Sequence, residues 1–435
     1  MKIKSKIKYL VYVSGTSLLG LIIGALMQST AFAATGTYYK WTGTDSTTAG
    51  LNGCASNCWS VAGNWDVSTD GGSTYATATT APQSSDNSGT GDNLVFNNSS
   101  LAANTTLNND ISNLVVNSLT SAGSGVDDYT ISGNSFSLTS GELSYGSSNS
   151  PDLFINNNIT IAASQNYGVI NQDESIMLYG TITVPSNVTL TAASILSIDG
   201  LTGSGNVVFE GLNSSQSTSG SFNNFSLYNS STISGNITIQ SGAELQIQNN
   251  NSLGTASLTI DNGGQLNISL SGTTTNDSIT LPNAITMGGQ AGAQALESLG
   301  AIEGSYVNSS TGVNENLNVT LSGLVTLTAN TALSSSYNSN VTYNFTGTLN
   351  QAGFTLTPIA TVQPTYGTTI IEVKGVQLVA APTTPAPKTP DTGAGLVSSH
   401  FELPLIGGAL LAGAFILMAL TVPRKLSKAT SIRRK

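Results

Sequence analysis

Charge is what this chain mostly lacks. Asp, Glu, Lys and Arg make up only 8% of its 435 residues, and the basic ones crowd the two ends. Lys2, Lys4, Lys6 and Lys8 sit at the start; Arg424, Lys425, Lys428, Arg433, Arg434 and Lys435 sit at the finish. Between residues 34 and 393 only Lys40, Lys374 and Lys388 stand against 22 Asp plus Glu, a net of −19. A surface of that sign repels phosphate backbones, so nucleic acid is not an expected partner. From residue 41 to 373 there is no Lys, Arg or His at all. A lyase acting on uronate chains needs a basic proton acceptor and cations to neutralise the substrate carboxylate, and those residue types are missing from the body. No nucleotide-binding loop, catalytic triad or zinc motif occurs. Low charge with abundant Ser, Thr, Asn and Gly can mean disorder, but regular apolar blocks argue against that reading.

Those blocks are short and alternating. Between residues 203 and 270 they include Ile237-Thr238-Ile239, Leu245-Gln246-Ile247, Leu258-Thr259-Ile260 and Leu266-Asn267-Ile268-Ser269-Leu270. Apolar residues at every second position place one face of a strand in a core and leave Thr, Gln, Asn and Ser outward. Gly, Asn and Ser between the blocks turn the chain. No block buries its face alone, and strands repeating every 8 to 12 residues do so by stacking on copies of themselves. The pattern predicts an all-β solenoid, with a β-sandwich as competitor. It runs from about 94 to 380, through blocks such as Leu114-Val115-Val116, Ile159-Thr160-Ile161 and Val341-Thr342-Tyr343-Asn344-Phe345. At about 20 to 25 residues per turn that length allows roughly 11 to 14 turns, a stack on the order of 55 to 65 Å long. The Ala-rich stretch 290–302 reads either as a short helix on the flank or as a Gly-punctuated turn of the stack. Asn156-Asn157-Asn158 and Asn249-Asn250-Asn251 fall at block ends, where they can stack as amide ladders or occupy turns.

The same stretch resembles a known family. Gly203, Gly205, Gly235, Ile237, Ile239, Gly242, Leu245, Ile247, Leu253-Gly254, Leu258, Ile260, Gly263 and Gly264 follow the order of the autotransporter-associated β-strand repeat. The resemblance implies right-handed parallel β-helix turns of an exported surface protein. It specifies architecture and location, not a chemical activity, and extends more loosely over 282–356.

Both ends carry envelope signals. Residues 1–33 read as a secretory signal peptide: a basic start, a long apolar stretch, and Ala31-Phe32-Ala33 as the small-x-small cleavage pattern. An uncleaved membrane anchor is the competing reading. Residues 403–422 form a run without charge, long enough to span a bilayer as a transmembrane helix. The basic tail 423–435 places that end in the cytoplasm and the body outside. Upstream lies a Pro/Thr linker, 381–393, extended and semi-rigid. It ends in Thr389-Pro390-Asp391-Thr392-Gly393, which resembles a sortase sorting signal of the L-P-x-T-G type. In that family a transpeptidase cleaves between Thr and Gly and joins the body to the cell wall. The bond here would be Thr392–Gly393, which makes a sortase and the wall the expected partners. Thr389 replaces the family's Leu, and a spacer holding His400 and Glu402 precedes the span, so simple retention as a membrane anchor stays open.

The segment 34–93 differs from the rest. It holds all three tryptophans, Trp41, Trp59 and Trp65. The exposed first turn of a stack must be covered, and large aromatics supply cover over few residues, so the three are expected to cap the stack. Sugar stacking on exposed rings is the alternative. Cys54 and Cys58, the only cysteines, are predicted to form a small disulfide pinning this loop. A metal site there would need more ligands. Two acid pairs, Asp127-Asp128 and Asp173-Glu174, are the glycosidase candidates. Neighbours in a strand point to opposite faces, and in loops such acids are solvated or weak Ca²⁺ ligands. No cofactor is expected beyond such weak Ca²⁺ binding, and no catalytic residue is assigned. The sequence therefore predicts a non-enzymatic, cell-surface adhesin or structural coat, wall-anchored or single-pass, binding glycan or protein ligands. A surface carbohydrate-active β-helix enzyme using those acid pairs is the alternative.

Overall fold

In the computed structural model the described residues are 37–83, 91–97, 104–122, 128–139, 143–145, 153–167, 176–193, 196–211, 222–272, 276–289, 300–308, 316–335, 339–359, 362–363, 367–368 and 371–375. They belong to the first of two compact units, Met1–Pro382, while the second, Thr383–Lys435, lies outside them. Also outside are residues 1–33, expected to be a signal peptide, with Ala31 and Ala33, as well as Asp127, Asp173, Glu174 and residues 290–299. The linker, the motif from Thr389 to Gly393, the 403–422 span and the basic tail share that position. Among the described residues the structure is all β apart from one short 3-10 turn, Ala62–Asn64. No helix among them is long and apolar enough to cross a membrane.

Strands pair in parallel with the strand one turn later in the chain, not with their immediate neighbour. On the first face Leu107, Ile131, Ile155, Leu178, Ile198, Leu227, Ile247 and Ile268 stand in register, one per turn. On the second, Leu114, Phe136, Ile159, Ile182 and Leu201 do the same. The third carries Leu190, Val207, Ile237, Leu258, Ile285, Val325 and Leu349. All of these side chains are buried. Burying one is worth about 1.5–3 kcal/mol relative to leaving it exposed, which no single three-residue strand could exploit without its neighbours. Stacked parallel strands on three walls are the arrangement of a β-solenoid.

The turn count stands at the low end of what length alone suggests. Among the described residues ten strands occupy the first face from Thr105–Asn109 to Thr331–Ser335, and Leu356–Ile359 begins an eleventh turn. Spacing explains why the count is not higher. In-register residues are 20 apart between Leu178 and Ile198 but 36 apart between Ile268 and Gly304, so insertions between strands consume chain without adding a turn. At Gly304 and Ser335 the aliphatic column itself is interrupted. A Cβ on Gly304 would meet Val341 Cγ1 at 2.9 Å, so a side chain from the next wall takes that space. Close approach also explains Gly235, whose added Cβ would run into the carbonyl oxygen of Gly205 one turn below.

The first turn is covered by the N-terminal segment. Tyr38–Trp41 pairs in parallel with Asp92–Asn97 and antiparallel with Trp65–Ser68. Cys58 bridges Asn108 in parallel, with Asn108 N donating to Asn57 O at 2.9 Å and Trp59 N to Asn108 O at 3.0 Å. Two exposed strand edges, which would otherwise invite pairing with another chain, are thereby occupied from within.

Candidate functional site

Beneath that cover the three indoles are buried, each no more than 1% exposed. Trp65 lies edge-on to Trp41 at 4.9 Å and to Trp59 at 6.0 Å between ring centres, and Phe96 touches all three. Trp65 Nε1 donates to Trp59 O at 2.8 Å. No indole face is free to stack on a sugar, so any ligand contact has to be sought elsewhere. Cys54 and Cys58 are joined by a disulfide. Asp110 lies against them, but sulfurs bonded to each other are not thiolates and offer no metal site. The Asp110 carboxylate instead accepts from Leu51 N at 2.5 Å and from Ser60 N at 2.8 Å. It is a buried anchor for the loop, and nothing near it in the sequence advertised that role.

Of the sequence's acid pairs only Asp128 is among the described residues; Asp127, Asp173 and Glu174 lie outside them. The acids the structure does gather are Glu244 and Glu303, on the outward side of the first face. They sit on the strands either side of Gln265–Gly272. From that middle strand Asn267 Nδ2 donates to Glu244 Oε1 at 2.7 Å, and Gln265 Nε2 to Glu303 Oε2 at 3.1 Å. Burial pushes the Glu244 carboxyl above its ordinary range, partly offset by the Asn267 hydrogen bond. Two strand spacings put the two backbones about 10 Å apart along the stack. Chemically the cluster is an amide–carboxylate clamp across three turns. Tyr343, whose hydroxyl donates to Ser334 O at 2.7 Å, lies in the adjoining wall. Burial first, then the Glu303 charge, holds its pKa well above the usual phenol value.

Earlier on the same outward surface lie aromatic side chains. Ile176–Val184 alternates buried and outward, so that Ile176 and Leu178 face the core while Met177 and Tyr179 face out. Phe154, level with Met177 one turn below, lies parallel to Tyr179 with ring centres 6.0 Å apart and planes within 2°. Tyr228 stands outward two turns beyond Tyr179, its hydroxyl 3.5 Å from Ser197 Oγ. Between them Asn229 Nδ2 donates to the Asp199 carboxylate. The period-two pattern in IMLYG was the signal for an outward Tyr179; the relation to Tyr228 needed the turn spacing.

Comparison with protein-family models, curated proteins and solved structures yields no match for this chain.

Proposed function

We propose that this chain is an exported, surface-displayed right-handed β-helix that works as an adhesin or structural surface coat with glycan or protein ligands. The supporting observation is the outward side of the stack. It presents Thr, Ser, Asn and Gln turn after turn, with exposed aromatic rings set among them and two cations, Lys40 and Lys374, among the described residues of the body. Lys40 lies over the Tyr75 ring and Lys374 pairs with Glu372. In this reading residues 1–33 direct export, and 403–422 with the basic tail hold the chain in the membrane until a sortase cleaves Thr392–Gly393. Intact mass of wall-released protein should end at Thr392; a chain still carrying 403–435 refutes the wall attachment.

A second reading, a surface carbohydrate-active enzyme, draws on the raised carboxyl of Glu244 near Glu303. One experiment separates the two. The full chain is incubated with a panel of host and bacterial glycans, and the products are read by mass spectrometry. Unchanged glycans with measurable binding support the adhesin; shortened chains overturn it and direct attention to the two glutamates.

A further inference from the structure

Resting on the glycan-binding form of that reading, we propose that Phe154, Tyr179 and Tyr228 form the binding strip for an uncharged, extended β-linked polysaccharide lying along the stack axis. Large aromatic rings ordinarily bury most of their surface, yet Tyr179 is 48% and Tyr228 38% exposed. They are two of only five strongly exposed large apolar side chains among the described residues. Both lie on one wall. Tyr179 is held parallel to Phe154 and its hydroxyl reaches Met177 Sδ at 3.3 Å, so its ring is fixed before any ligand arrives. Preorganised rings lose little freedom on binding.

Spacing and charge select the partner. Tyr228 is level with Asp199, whose strand lies one turn from that of Tyr179. Two strand spacings separate the tyrosines by about 10 Å along the axis, close to the length of a disaccharide unit in a straight β-linked chain. Between them Asp199, Asn229 and Ser197 offer carboxylate, amide and hydroxyl groups at the level where sugar hydroxyls would pass. The only formal charge in the strip is the Asp199 carboxylate, and no cation occurs from residue 41 to 373. A uronate or sialylated chain would be repelled; a neutral chain matches both rings and hydrogen-bonding groups.

The test uses the full chain in native gels containing hydroxyethylcellulose or glucomannan, with carboxymethylcellulose as the anionic counterpart. Retardation by a neutral polymer is expected, weakened roughly tenfold by Tyr179→Ala or Tyr228→Ala. Tyr179→Phe should keep the binding, and so should Leu324→Ala, which removes an exposed apolar side chain elsewhere. Thermal unfolding midpoints of all variants identify any that are misfolded, and where one alanine variant is, the other carries the comparison. Neutral-polymer binding that survives both alanine substitutions overturns the strip while leaving the glycan-binding reading intact. No retardation of the wild type by either neutral polymer overturns the strip and counts against the glycan-binding reading itself. Equal retardation by carboxymethylcellulose overturns the charge argument. A concentration-dependent dimer lost in Tyr179→Ala would mean that a second copy covers the rings, and overturns the proposal.

Discussion

The N-terminal cover and the stack it protects solve the same problem by opposite means. In the stack, burial is spread over many interchangeable aliphatic side chains, each turn touching only the next. In residues 37–83 it is concentrated in three indoles and one disulfide, with the loop pinned by a buried carboxylate from the first turn, Asp110, and none of these recurs. A repeating array tolerates a defect because neighbouring turns retain their own contacts, but its ends have no neighbour and need a dedicated unit. The stack is therefore fragile at the N-terminal cover and tolerant along its length.

Trp59→Ala should therefore show the largest effect. Its ring touches Trp65, Phe96 and Phe136, so it joins the cover to the first turns. Truncating a buried Trp costs about 3–5 kcal/mol, against about 0.5–1.5 kcal/mol for Ile247→Val in the middle of the stack. Denaturant midpoints of the two variants measure this directly, and equal midpoints would break the comparison. Trp59→Phe sharpens it. The Trp59 Nε1–H is buried with no hydrogen-bond partner among the described residues, so losing it along with part of the ring should cost much less than losing the ring entirely.

How much of this was legible in the residues follows from the same contrast. The stack was readable because its information is periodic: Ile237-Thr238-Ile239 and Leu258-Thr259-Ile260 each state which side is inward, and repetition supplies the rest. The number of turns came out at the low end of the expected range because insertions such as the one between Ile268 and Gly304 carry no alternation to count. The cover was recognisable from its tryptophans, but the pinning of its loop by Asp110 depends on a contact between residues 59 apart. The outward strip was hidden for a different reason. Tyr179 and Tyr228 sit on separate turns, 49 positions apart in the chain, and only the register shows that they share a wall. Glu244 and Glu303 are concealed in the same way.

A middle-sized effect is expected from reducing Cys54–Cys58. A loop this short gains at most about 2 kcal/mol from the crosslink, and the loop remains tied by the Asp110 hydrogen bonds and the Cys58–Asn108 bridge. Reductant should speed amide exchange at residues 50–60 while leaving 236–260 as protected as before. Loss of protection in both regions would mean that the disulfide supports the stack as well as the cover.

The smallest effect, and the one most specific to the stack's outer side, is Glu244→Gln. Burial raises the folded-state pKa of Glu244 above its unfolded value. The folded chain then holds its proton more tightly than the unfolded chain does, so wild-type stability falls as pH rises from the ordinary carboxylate value through the raised one. Below that window the acid is neutral in both states and this contribution is constant. A glutamine at 244 carries no charge at any pH and can still accept the Asn267 hydrogen bond through its own oxygen. Glu244→Gln should accordingly match the wild type in acid and be slightly more stable at neutral pH, as read from thermal midpoints taken across the range. A variant less stable than wild type at neutral pH would show that the Glu244 charge is stabilised by its surroundings. The clamp would then be an electrostatic feature of the stack, not a buried acid that the neighbouring turns merely tolerate.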